Sequence, residues 1–196
     1  MRTTMAGLLL ALLLTGCHSG DGDDRYDELI DAGWRAYSAG NYTDAQTDFL
    51  DAARADQARA EAWNGLAWTE IELHEDEQGD EDYLFAIDGN FQAALARSDN
   101  WAPPLAGIAL TRTRLGEPSS AIHFAGEALT RVGDSWVYNH NQEVTGRLMR
   151  WVRAWNYFLL EDYAASQLEV EAVLEVTLDP EDPDYLSQLL AYIEQL

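Results

Sequence analysis

The chain has 196 residues, and its 35 acidic residues face 12 basic ones, all arginine, for a net charge of −23. With 47% hydrophobic and 24% charged residues it can build a core, as one compact domain or as an elongated repeat array. Such an acid excess excludes nucleic acid as a partner, since phosphate binding needs cationic neutralisation, and a single cysteine excludes an intrachain disulfide.

Met1 and Arg2 precede an apolar run from Ala6 to Leu14, too short to cross a bilayer and of the secretory type. Leu14-Thr15-Gly16-Cys17 follows at once and resembles a bacterial lipobox. The resemblance implies that residues 1–16 are a signal peptide that is removed, and that Cys17 carries acyl groups, palmitate among them, which hold the chain at a membrane. His18 stands where retention in the inner membrane usually involves aspartate, which implies an outer-membrane anchor facing the periplasm. Residues 17–24 read as a flexible tether, about 28 Å at full stretch.

From Arg25 onward the pattern is helical and repetitive. Gly40, Asn41 and Tyr42 make a turn, and Ala45, Phe49 and Ala52 then recur at spacings of four and three. Matching triplets follow at Ile87, Phe91 and Ala94, at Ala121, Ala125 and Ala128, and at Ser166, Val170 and Val173. The segment from Gly33 to Ala52 resembles a tetratricopeptide repeat (TPR), and the step from Ile87 to Ala121 matches its 34-residue period. Helix A of the second unit carries Trp63, Leu66 and Ala67, and that of the third carries Leu105, Ile108 and Ala109 before a turn at Leu115–Pro118. Helix A of the fourth runs from Arg147 to Leu160 and turns at Glu161–Tyr163. Gln57 replaces a terminal proline, and Arg150 and Arg153 replace apolar residues.

The resemblance implies an all-α, TPR-like α-solenoid of about four helix-turn-helix repeats, at residues 26–59, 60–101, 102–135 and 147–180 of a domain spanning 25–180. Insertions are expected at 74–81, which is acidic, and at 136–146. In the second insertion Trp136, Val137 and Tyr138 are aromatic or β-branched, and Asn139, His140 and Asn141 signal a turn. Residues 181–196 read as a capping helix, with Leu186, Leu189, Leu190, Ile193 and Leu196 on one side.

No pattern for catalysis or a cofactor emerges. His18, His74, His123 and His140 lack ligand spacing, the acidic insertion fails the calcium-loop template, and no nucleophile or phosphate-loop motif occurs. An enzyme using surface carboxylates is therefore the third reading.

In TPR arrays helix A lines the concave face. The resemblance implies a partner-binding groove of Ile30, Trp34 and Tyr37, then Asn64, Trp68 and Ile71, then Ala106, Leu110 and Arg114, then Trp151, Trp155 and Phe158. Trp and Tyr supply much of the energy of protein interfaces. The implied function is a non-catalytic, membrane-anchored interaction scaffold for a protein partner, either basic or presented as an extended peptide or helix. The same spacing also describes buried helix faces. A structural module whose groove is filled by the 136–146 insertion or by the last helix is the alternative, and exposure of Trp34, Trp68 and Trp155 distinguishes the two. The acidity fits either a saline habitat or a basic partner.

Overall fold

The computed structural model describes residues 20–74, 81–98 and 100–196, with side chains from residue 24 onward; Cys17 and most of the acidic insertion lie outside them. Helices pair in chain order: α1 (Gly20–Ser38) with α2 (Tyr42–Ala55), α3 (Ala60–Leu73) with α4 (Glu81–Leu95), α5 (Ala102–Arg114) with α6 (Pro118–Val132), and α7 (Gly146–Leu159) with α8 (Tyr163–Glu171). A hairpin of β1 (Val137–Tyr138) and β2 (Asn141–Thr145) precedes α7, and α9 (Tyr185–Ile193) closes the chain. The first members of the pairs also touch side by side, α1 on α3, α3 on α5 and α5 on α7, so they form one layer with their partners behind.

The triplets read from the sequence are the packing faces of the rear layer. All twelve residues are buried except Val173, which falls beyond α8 and is half-buried. Phe49 lies between Gly33 of α1 and Gly65 of α3, and Phe91 lies against Gly107 of α5. A β-carbon on Gly33 would sit 2.7 Å from the Phe49 ring, so these glycines let a large ring enter where three helices meet.

The three within-pair turns among the described residues share one construction. The N–H groups of Asn41, Glu117 and Asp162 donate to the carbonyls of Ala36, Arg112 and Tyr157 at 2.9, 2.9 and 3.0 Å. Each is the six-to-one bond of a Schellman motif, which needs a left-handed residue just before it. Gly40 and Gly116 fill that position with φ of 76° and 68°, but in the fourth repeat it is Glu161, with φ of 61°. Glu161→Gly relieves this strain while loosening the unfolded chain, for a net gain of about 0.5 kcal/mol. A higher midpoint of urea unfolding checks it, and a lower one would contradict it.

One element differs from the sequence reading. The tether expected at residues 17–24 is helical from Gly20 onward. Asp24, near the start of this helix, favours this, because a carboxylate near a helix N-terminus offsets the positive end of its dipole. Arg150 and Arg153, apolar positions in the repeat pattern, are explained by Glu169. Its buried carboxylate takes both guanidinium groups, at 2.7 and 2.6 Å, and so ties α8 to α7.

Candidate functional site

The layer of α1, α3, α5 and α7 has two unlike halves. In the first, the 136–146 insertion folds back across α1 and α3. Its tip is the two-residue turn Asn139-His140, with Tyr138 paired to Asn141. The Tyr138 ring enters between Trp34 and Trp68, with centroids 6.1 and 6.0 Å away, and its hydroxyl accepts from Asn64 Nδ2 at 2.8 Å. The His140 ring stacks on Trp34, with centroids 3.9 Å apart. Asn141 Nδ2 donates to the Tyr37 hydroxyl at 2.9 Å, which itself donates to Glu72 Oε1 at 2.9 Å.

This arrangement corrects the expectation of an open groove over the first two repeats. Trp34 is 6% exposed and Trp68 1%; Ile30, Tyr37 and Asn64 are also buried, and Ile71 is half-buried. The physical reason is a short hairpin whose rings find more apolar surface against α1 and α3 than in water. Tyr138, His140 and Asn141 were missed as site residues. Their signal was the aromatic, β-branched run followed by a turn, which marks an extended segment but not the surface it lies on.

The second half differs. Ala106 is buried, Leu110 is half-buried and Arg114 is exposed. Trp151, Trp155 and Phe158 form a ladder of near-parallel rings, with successive centroids 6.4 and 6.5 Å apart. All three are half-buried and pack against a core cluster that includes Leu178, Tyr185 and Leu189 of the C-terminal segment.

Burial sets the electrostatics beneath the hairpin. It pushes the Tyr138 hydroxyl well above the ordinary tyrosine range; burial and then Glu72 do the same for Tyr37, so both stay protonated. Burial also holds the His140 imidazole below its ordinary 6.5, against a smaller opposing pull from Glu61. The folded pKa is therefore below the unfolded one. The stacked imidazole keeps its full contribution above about pH 6.5 and loses it as pH falls through the lowered folded value. Wild type is expected to lose more stability than His140→Gln between about pH 7 and pH 5, measured by urea unfolding. Equal losses would mean that His140 does not titrate differently on folding.

No known protein family matches the chain by sequence, and no curated protein does. Its fold does have solved counterparts. A thermophilic TPR protein of Thermus thermophilus superposes with a TM-score of 0.61 at 14% identity, over 90% of this chain and 85% of that one. A tetratricopeptide repeat protein of Parabacteroides merdae gives 0.61 at 18% identity, over 88% of this chain and 60% of that one. The protein MamA gives 0.57 at 16% identity, over 89% and 82%. At these identities the likeness is one of fold: an all-α, TPR-like solenoid.

Proposed function

We propose that this chain is a non-catalytic protein–protein interaction scaffold, held at the bacterial outer membrane by acyl groups on Cys17 and working in the periplasm. One observation carries the reading: the layer of α1, α3, α5 and α7 already seats a ring-bearing stretch of extended polypeptide, with Tyr138 between Trp34 and Trp68 and His140 on Trp34. A wall with fitted places for peptide rings is the chemistry an interaction groove requires. Along the same layer Arg114 and the Trp151–Trp155–Phe158 ladder retain exposed surface for a partner. The net charge of −23 favours encounter with a basic one. The Leu14–Cys17 motif supports the lipid anchor.

The burial of Trp34 and Trp68 favours a second reading, a structural module without an open groove. A photo-crosslinking residue at Arg114 separates the two. The scaffold reading expects a discrete protein adduct from that position in cells, and none from Leu168, 67% exposed on α8. No adduct from Arg114 leaves the structural module. Cys17→Ser is expected to move the chain out of the membrane fraction; an unchanged distribution would remove the anchor.

A further inference from the structure

The hairpin leaves the wall beneath it incompletely satisfied. Asn64 is fully buried and Trp68 nearly so, yet Asn64 Oδ1 and Trp68 Nε1 have no hydrogen-bond partner among the described residues. Tyr138 engages the Asn64 amide through Nδ2, and Oδ1 stays unpaired. Unpaired buried polar groups are uncommon because each forfeits its hydration without replacement. Here two occur one helical turn apart, on the two α3 residues that Tyr138 contacts. An extended backbone, with N–H and C=O groups alternating along it, has what an acceptor and a donor so placed require.

The hairpin itself is weakly built. β1 has two residues, its pairing with β2 shifts register between Val137 and Tyr138, and Val137 points an apolar side chain to solvent at 41% exposure. Open space flanks its tip. His140 lines both a cavity of about 860 Å³, bounded by Asp31, Arg35 and Glu61, and one of about 530 Å³, bounded by Trp101, Arg131 and Trp136. Both spaces border His140, and the larger also borders Trp34.

We propose that the hairpin is a displaceable strap. It occupies the wall formed by Trp34, Asn64 and Trp68 and yields it to an extended segment of a protein partner. That segment carries two rings spaced like Tyr138 and His140, with backbone groups that complete Asn64 and Trp68. The proposal rests on the interaction reading above and adds what the partner presents and what it must displace.

The test uses the full chain and a labelled synthetic peptide with the sequence of residues 136–146. Tyr138→Ala/His140→Ala is expected to bind this peptide at least ten-fold more tightly than wild type does. The same peptide with both rings replaced by alanine is expected not to bind. Equal binding to wild type and variant, or no binding to a variant that keeps its helical circular dichroism, would overturn the strap.

Hydrogen exchange on wild type decides independently, should the variant not fold. Amides of residues 137–145 that open at least ten-fold faster than those of α3 support a strap. Exchange at the rate of α3 makes the hairpin core and overturns the idea. Failure here together with an adduct from Arg114 would remove the strap and keep the scaffold; binding of the peptide without such an adduct would show a displaceable hairpin and remove Arg114 as a partner surface.

Discussion

Phe49→Ala is expected to lower the free energy of unfolding by about 3–5 kcal/mol. The ring is fully buried where α1, α2 and α3 converge, with Gly33 on one side and Gly65 on the other. Trp34 meets it edge to face at 4.8 Å. Neither glycine has a side chain that can swing into the vacated volume, so the cavity remains and its walls lose their dispersion contacts. The damage is not confined to one repeat. In a stacked array each repeat is stabilised largely by its neighbour, and Phe49 belongs to that interface. Urea unfolding followed by circular dichroism measures the loss, and a value under about 1 kcal/mol would contradict the packing described here.

Asp88→Ala should be of similar size, for an electrostatic reason. Asp88 lies on α4 with its side chain 3% exposed, and Arg112 reaches it from α5, across the junction of the second and third repeats. The contact is two-pronged, with Nε to Oδ1 at 2.9 Å and Nη2 to Oδ2 at 2.5 Å. The Thr111 hydroxyl and the Gln92 amide also donate to the carboxylate. Removing it leaves a largely desolvated guanidinium with Glu117 as its remaining anionic partner, at a cost of about 3–5 kcal/mol. Asp88→Leu combined with Arg112→Met takes away both charges and is expected to recover most of that loss. If the double variant is no more stable than Asp88→Ala, the cost lies in packing and not in the orphaned charge.

These two positions were unequally legible beforehand. Phe49 and its triplet announce themselves, because helices cross closely only where small residues recur at four and three, and that rule is local to each helix. The turns at Gly40 and Gly116 were equally plain, since few residues but glycine tolerate positive φ. Asp88 carried no such mark. An acid on a helix in a chain with 35 of them reads as surface until its partner, 24 residues away, is placed beside it.

The candidate site divides the same way. From sequence, the resemblance to TPR repeats already implied that Trp34, Trp68, Trp151 and Trp155 share one layer of helices. The sequence also marked residues 136–146 as an insertion between the third and fourth repeats, with an aromatic, β-branched run and a turn. Only the tertiary structure decided that this hairpin returns to the first two repeats, where it joins Tyr138 to Asn64 and Asn141 to Tyr37 across 74 and 104 residues. Contacts at such separations depend on the curvature summed over the intervening helices, and no local pattern encodes that sum. For this reason a tryptophan that faces a partner and one that faces its own chain are spelled alike, and only the folded array tells them apart.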